Sequence, residues 1–239
     1  MPPARPGHEV GVIAVVWAEA WRVVASRYPP INLFERVSSD PAVWEVLIEL
    51  EQLTNARVRD EIGEISRVPP KRRISGPNAS WVMATFTHVN PRGSRFSDGR
   101  YGVYYAADRL KTAIVETAYH FGRFARDSHD PPRREGMRVL LGSVDNEFHD
   151  LGQLSPERRS TILDPDSYVE SQRLGHELRA SGSNGVVYPS VRDRGGRCLA
   201  AFWPDVVRPP MQERHLTYEW DGARVSRYFD YLLGTWTAL

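Results

Sequence analysis

Four side chains with clear chemical uses stand in two separated segments of the chain. Arg95-Phe96 lies in a glycine-bearing loop, Tyr105 closes a strand-like stretch, and Glu116 follows eleven positions later; Ser190 comes far downstream, after a proline. A carboxylate can place negative charge beside a centre that becomes cationic during a reaction. The planar fork of an arginine binds two oxygens of a phosphate or carboxylate group. These residue types indicate a site that holds an anionic ligand next to one glutamate.

Several other chemistries lack their motifs. The sequence contains no Gly-x-x-x-x-Gly-Lys-Ser/Thr, no Gly-x-Gly-x-x-Gly after a strand and no Gly-x-Ser-x-Gly. His176 has Ala180 four positions later, where a helical zinc site needs a second histidine, so no metal site is expected. Cys198 lies within an apolar run, which is typical of a buried and unreactive thiol. Nothing resembling a serine triad accompanies Ser190.

The composition is that of a globular, water-soluble protein. The 239 residues are 41% apolar and 26% charged, with a net charge of +1, which argues against a dedicated polyanion binder. No stretch approaches the ~20 apolar residues of a membrane span. The single cysteine excludes an internal disulfide and fits a reducing compartment. We therefore expect a cytoplasmic protein with one large domain.

Periodicity predicts the elements that position these residues. Residues 1–30 are expected to be a tail and a helix (11–25) that packs on a single domain formed by 31–239. A helix is predicted from about residue 41 to 54, and 126–135 is expected to be a mobile loop. Further strands are predicted at 80–86, 102–106, 137–144, 185–188 and 198–203, helices at 108–124 and 166–180, and a hairpin turning at Asp221-Gly222. Because strands and helices do not alternate regularly, this pattern favours an α+β fold with a helical N-terminal extension.

The helix at 108–124 sets the direction of Glu116. Its mostly apolar stripe predicts the face that packs on the core, and Glu116 lies at the edge of this stripe, one turn from Thr112 and His120. The stripe consists of Leu110, Ala113, Ile114, Thr117, Phe121 and Phe124. A carboxylate at such an edge can face a cleft. On the neighbouring strand, Tyr104 and Tyr105 point to opposite faces, so only one of them is expected to reach the site.

Together these segments resemble the RES-domain family, the toxin component of a bacterial toxin–antitoxin system, named for an arginine, a glutamate and a serine. The resemblance extends from about residue 27 to 220. Arg36, in the segment Asn32-Leu33-Phe34-Glu35-Arg36-Val37, resembles the family arginine, and Arg27 is the other candidate for it. Tyr105, Glu116 and Ser190 resemble the family's strand-end tyrosine, its glutamate and its serine. Arg95 resembles the family's loop arginine, although Ser94-Arg95-Phe96-Ser97 departs from the usual residues around it.

This resemblance implies a fold like that of ADP-ribosyltransferases, with central β-sheets flanked by helices, and an enzyme that consumes NAD+ as a substrate without a prosthetic group. The nicotinamide–ribose bond is broken, and ADP-ribose passes to phosphate or water. The catalytic residues implied are Glu116, Arg36, Tyr105 and Ser190, and the NAD+-binding residues are Arg36, Arg95, Phe96, Tyr105 and Ser190. The implied partner is an Xre-like antitoxin protein, and the implied assembly is a homodimer or a toxin–antitoxin hetero-oligomer.

Two other functions stay open. In the first, ADP-ribose is transferred to a side chain of a cellular protein. In the second, the protein is a non-enzymatic nucleic-acid-binding module that uses the basic patch at Arg67 and 71–73, although Asp60, Glu61 and Glu64 lie beside it. Binding through phosphates would weaken steeply with added salt.

Overall fold

A single mixed sheet dominates residues 10–28 and 63–239, the parts of the chain that the computed structural model describes. Its strands are β1 (Val12–Ala25), β2 (Tyr104–Ala107), β3 (Arg133–Asp150), β4 (Gly185–Pro189), β5 (Arg197–Ala201), β6 (Met211–Trp220), β7 (Val225–Asp230) and β8 (Thr235–Ala238). The α-helices in these residues are α1 (Ser80–Thr87), α2 (Leu110–Asp127), α3 (Pro156–Ile162) and α4 (Val169–Ala180). The expected α+β class is confirmed.

Five of the strands close into a ring. The sheet order is β1-β2-β5-β4-β3-β6-β7-β8, and β1 also pairs with β3, so the first five strands in this order have no free end. Side chains from all five strands meet in one buried cluster, to which α1 contributes Val82, Met83 and Phe86. Strands β6 to β8 extend the sheet outward from β3 as antiparallel neighbours.

The N-terminal segment is a strand, and the prediction of a helix at 11–25 is wrong. β1 pairs antiparallel with β3 from Val12↔His149 to Ala25↔Met137. Six of its fourteen residues are Val or Ile, and β-branched side chains fit a pleated sheet better than a helix. The segment expected to be a helical N-terminal extension is therefore one of the five strands of the closed ring. The helix predicted at 41–54 lies outside the described residues.

The prediction of a strand at 80–86 is also wrong, because these residues form helix α1. Short apolar runs of this length do not distinguish a buried helix from a buried strand. Here Val82, Met83 and Phe86 recur at helical spacing, and all three are buried in the ring's core. Tertiary packing of this face, rather than local preference, selects the helix.

Other predictions hold with shifted boundaries. α2 extends to Asp127 and β3 begins at Arg133, so the expected loop at 126–135 is shorter than predicted. The hairpin turns at Asp221-Gly222 as expected, between β6 and β7. α3 and β8 were not predicted. In the described part of the chain, no helix combines the length and apolar character needed to cross a membrane.

Helix α2 is fixed by a second buried cluster. Ala113, Ile114, Ala118, Phe121 and Ala125 pack against buried residues of β1, β3, β6 and β7. The Phe121 ring lies edge-on to Tyr218 and Trp220, with centroids 6.4 Å away from each. Such aromatic contacts fix the rotation of the helix, so the residues at the edge of this stripe are held in one direction.

Candidate active site

A cavity of about 430 Å³ lies beside α2, β1 and β2. Three of the residues predicted from the sequence line it: Arg95, Tyr105 and Glu116. The wall also includes Arg22, Arg92, His120, Arg123, Phe124, Asp127, Tyr168 and Cys198. The strands supply one wall and α2 another, so residues far apart in sequence face one space.

Ser190 lies behind Glu116 and fixes its carboxylate. The Ser190 hydroxyl donates to Glu116 Oε1 at 2.6 Å and accepts from the backbone N–H groups of Arg192 and Asp193 at 3.1 and 2.9 Å. Because the two backbone donors occupy the acceptor side of the oxygen, the hydroxyl proton must point at the carboxylate. Hydrogen bonds to an ionised acceptor are stronger than neutral ones, so Ser190 holds Glu116 in one orientation.

The second carboxylate oxygen of Glu116 is left for a ligand. Within the described residues, Oε2 has a single polar neighbour, His120 Nε2 at 4.0 Å, which is longer than a hydrogen bond. The Glu116 side chain is 19% exposed, so it reaches the cavity without being fully solvated. One oxygen is therefore oriented by the protein, and the other remains available.

The imidazole of His120 lines the cavity one turn beyond Glu116, and its side chain is 48% exposed. Desolvation at the cavity wall lowers the pKa of His120 to about 4, opposed by Glu116 and helped by the positive charges of Arg95, Arg192 and Arg123. The exposure lets water screen part of this effect, so the lowered pKa favours the neutral form of the ring.

Cys198 is a structural neighbour of this carboxylate. Its Sγ lies 3.8 Å from Glu116 Oε1, and burial together with that carboxylate raises the pKa of the thiol. A thiol with a raised pKa is a poor nucleophile. This agrees with the expectation of a buried, unreactive cysteine.

Tyr105 holds the loop that carries Arg95. Its hydroxyl donates to Ser94 Oγ at 2.9 Å and accepts from the Phe96 N–H at 3.0 Å. Burial raises the pKa of Tyr105 to about 12, so the hydroxyl stays protonated. Tyr104 points to the opposite face of β2, as the strand alternation predicts. Its aromatic side chain packs in the core that the five strands enclose.

Arg95 lines the cavity, whereas the neighbouring Phe96 lies in the core. The Arg95 guanidinium is 4.4 Å from the centroid of the Tyr168 ring, and Nη1 donates to the Asp164 carbonyl at 2.8 Å. Phe96 is fully buried, edge-on to Tyr188 at 5.1 Å. The predicted ligand contact of Phe96 does not fit this placement, because its ring belongs to the core beneath the site.

One of the two candidates for the family arginine is among the described residues. Arg27 is half-exposed, 3.8 Å from Glu135, and does not line the cavity. Arg36 is outside the described residues, so its role in the site stays a prediction.

Arg22 is one of the cavity residues that the sequence prediction missed. On β1, its Nη1 donates to the Tyr105 carbonyl at 2.9 Å and its Nη2 to Thr85 Oγ1 at 3.2 Å. Its guanidinium also lies 4.5 Å from the centroid of the Tyr104 ring. An arginine between Trp21 and Val23 in a strongly apolar stretch was an available signal, because a buried charge needs a specific reason. Because residues 11–25 were predicted to form a helix, Arg22 was not recognised as a site residue.

Unpaired positive charge characterises the cavity wall. Among the described residues, Arg92, Arg95 and Arg123 have no carboxylate partner, whereas Arg173, Arg214 and Arg227 on other surfaces are ion-paired. Among the described residues of the wall, Glu116 and Asp127 are the carboxylates, so with Arg22 these residues carry a positive excess. Guanidinium groups grouped in a concave site attract phosphate or carboxylate ligands.

Most arginines of the basic patch outside the cavity have partners within the protein. Arg67 Nε lies 2.7 Å from Glu64 Oε2, and Arg72 Nη1 lies 3.0 Å from Asp205 Oδ2. Arg73 is buried and donates to the Val68 carbonyl at 2.8 Å. Because these three guanidinium groups are engaged, the patch favours the nucleic-acid-binding alternative less than the sequence alone does.

Three comparisons with known proteins found similar chains. Residues 70–221 match the family model described as the RES domain. Uncharacterized protein y4oC of Sinorhizobium fredii (strain NBRC 101917 / NGR234) is 30% identical over 208 residues, covering 87% of this chain and 85% of that protein. A chain from the crystal structure of the M. tuberculosis MbcT–MbcA toxin–antitoxin complex is 13% identical, with 91% of each chain covered and a TM-score of 0.46. Because the family model matches more than half of the chain, this chain belongs to the RES-domain family.

Proposed function

We propose that this RES-domain protein is the toxin of a toxin–antitoxin system and that it cleaves the nicotinamide–ribose bond of NAD+. The observation that carries the proposal is the carboxylate of Glu116, oriented by Ser190 and set in a cavity with an excess of guanidinium groups. The arginines suit a pyrophosphate. The carboxylate suits the cationic sugar that forms when the bond breaks.

The proposed step is a substitution at C1′ of the nicotinamide ribose. The C1′–N1 bond breaks, its electron pair goes to the ring nitrogen, and neutral nicotinamide leaves. The positive charge then spreads over C1′ and the ring oxygen, where the free oxygen of Glu116 stabilises it by charge or by gripping a ribose hydroxyl. An oxygen of phosphate or water bonds to C1′, and the acceptor's proton passes to solvent.

In this proposal the other site residues position these groups. Ser190 orients Glu116, Tyr105 holds the Arg95 loop, and the arginines of the cavity wall hold the pyrophosphate. Groups that are already oriented in the folded protein need not reorganise during the reaction, which lowers the activation free energy.

The proposed partner is an Xre-like antitoxin that blocks the cavity, and the proposed assembly is a homodimer or a toxin–antitoxin hetero-oligomer. We place the protein in the cytoplasm, where the NAD+ pool is. A free enzyme of this activity depletes that pool and stops growth, so a tightly bound inhibitor is a physical requirement for the cell.

Proton NMR of NAD+ with the purified protein tests the activity and the acceptor together. We expect free nicotinamide, with ADP-ribose 1″-phosphate in phosphate buffer and ADP-ribose in buffer without phosphate. Glu116→Gln keeps the shape of the side chain and removes its charge, so we expect turnover to fall roughly 10²–10³-fold. The far-ultraviolet circular dichroism spectrum should not change.

Glu170→Gln is the matched control, because Glu170 is ion-paired on α4 and does not line the cavity. Its turnover should equal that of the wild type. Absence of nicotinamide release by the wild type contradicts the proposed activity, and undiminished release by Glu116→Gln contradicts the assigned role. A radiolabelled protein band after incubation of labelled NAD+ with cell extract would instead support transfer to a protein.

A further inference from the structure

Phe124 is exposed where the sequence predicts a core residue. It was expected in the apolar stripe of α2, yet its side chain lies outside the buried cluster that Phe121 joins and is 42% exposed. A single exposed apolar residue is ordinary on a protein surface. Phe124 differs because its ring lines the wall of the cavity that holds Glu116.

Two guanidinium groups lie over this ring. Arg27 and Arg92 are each 5.9 Å from its centroid, at the outer limit of a cation–π contact, and the ring stays 42% exposed. Arg92 is also part of the cavity wall. A partly exposed aromatic ring with loosely held guanidinium groups can take a stacked base while the arginines bind the phosphates of a nucleotide.

Helix α2 sets the order of groups along the cavity. A helix rises 1.5 Å per residue, so Arg123 lies about 10 Å and Phe124 about 12 Å along the axis from Glu116. His120 comes between them, about 6 Å from Glu116. All four line the same cavity, which therefore presents a carboxylate, then a guanidinium, then an aromatic ring.

This order matches a dinucleotide lying along the helix, and we propose that Phe124 is the stacking platform for the adenine ring. The inference rests on the proposed function, because it places the nicotinamide ribose at Glu116. The pyrophosphate then lies near Arg92 and Arg123, neither of which has a carboxylate partner among the described residues. Phe124 is a binding residue in this arrangement, too far from Glu116 to act on the reacting carbon.

Binding of the two halves of the substrate tests the platform without requiring turnover. Isothermal titration calorimetry with ADP reports the adenine end, and nicotinamide mononucleotide reports the other end. Base–aromatic stacking is worth roughly 1–3 kcal/mol, so Phe124→Leu should raise the Kd for ADP about tenfold. Its Kd for nicotinamide mononucleotide should stay within twofold, and Phe124→Trp should keep ADP affinity.

In NAD+ cleavage, Phe124→Leu should raise KM about tenfold and leave kcat unchanged. Tyr231→Leu is the matched control, because Tyr231 is an exposed aromatic residue beyond β7 that does not line the cavity. It should behave as the wild type in both assays.

Three results would contradict the assignment of Phe124 as the stacking platform. They are no ADP binding by the wild type, equal ADP affinity of the wild type and Phe124→Leu, or an equal loss of affinity for ADP and nicotinamide mononucleotide in Phe124→Leu. The last result means that the ring supports the helix and does not contact adenine. Each can occur while NAD+ is still cleaved. Failure to cleave NAD+ with ADP affinity intact contradicts only the proposed reaction.

Discussion

The two ends of the cavity are built differently. At the inner end, Glu116 is held by Ser190, whose hydroxyl has all its bonding capacity used. At the outer end, Arg92 and Arg123 have no carboxylate partners among the described residues, and Phe124 exposes its ring. The inner end is thus organised by contacts within the protein, whereas the arginines of the outer end lack such partners. Under the proposed function, this division separates groups that set kcat from groups that set KM.

Removing the hydroxyl of Ser190 disrupts the inner end. In Ser190→Ala, Glu116 loses the donor that orients it, and a hydrogen bond to a charged group is worth about 2 kcal/mol. We expect kcat for NAD+ to fall roughly thirtyfold, with KM within twofold, as measured by nicotinamide release. Ser190→Thr keeps the hydroxyl and should recover most of the rate.

Ser160→Ala provides the matched control, because that hydroxyl donates only to a carbonyl of its own helix. Its kinetics should match the wild type. A Ser190→Ala enzyme that loses affinity while keeping kcat would mean that Ser190 contacts the ligand and does not act through Glu116.

Removing the charge of Arg95 affects binding. Its side chain is buried with one carbonyl acceptor and the Tyr168 ring, so Arg95→Met keeps the packing and removes a donor for phosphate oxygens. We expect KM for NAD+ to rise about tenfold, with a smaller change in kcat. Arg173→Met, which breaks an ion pair on α4, should leave KM unchanged. Equal KM values for Arg95→Met and the wild type would remove Arg95 from the binding site.

The smallest expected effect is on stability against acid. The folded-state pKa of His120, lowered to about 4, lies below its ordinary value of about 6.5. Between these values the unfolded chain binds a proton that the folded protein does not, so stability decreases as pH falls through this window. His120→Gln should make the midpoint of urea unfolding less sensitive to pH between 6.5 and 4.

His176→Gln, at an exposed position on α4, is the control for this measurement and should keep the pH dependence of the wild type. If His120→Gln also keeps it, the imidazole is not held neutral by the charges of Arg95, Arg123 and Arg192.

Sequence reasoning predicted the parts of the site that depend on local pattern. The periodicity of α2 put Glu116 at the edge of a packed stripe, and strand alternation separated Tyr104 from Tyr105. The hydrogen bond between Ser190 and Glu116 joins residues 74 positions apart; spacing along the chain contains no information about such a contact, and only the resemblance grouped them.

Other features were set by tertiary packing. Residues 80–86 were predicted as a strand because a short apolar run does not distinguish a buried helix from a buried strand. The longer β1 was predicted as a helix although its many β-branched residues fit a strand, and its pairing with β3 decides its conformation. The misassignment of β1 concealed Arg22. The burial of Phe96 and the exposure of Phe124 likewise depend on which elements cover each ring, and neither follows from periodicity.

The position of β1 bears on how much of the chain makes up the working unit. The RES-domain match begins at residue 70, yet Val12–Ala25 completes the circuit of strands and brings Arg22 to the cavity wall. A boundary drawn at the start of the match would discard one side of the binding site. The functional domain of this protein is therefore larger than the stretch by which its family is detected.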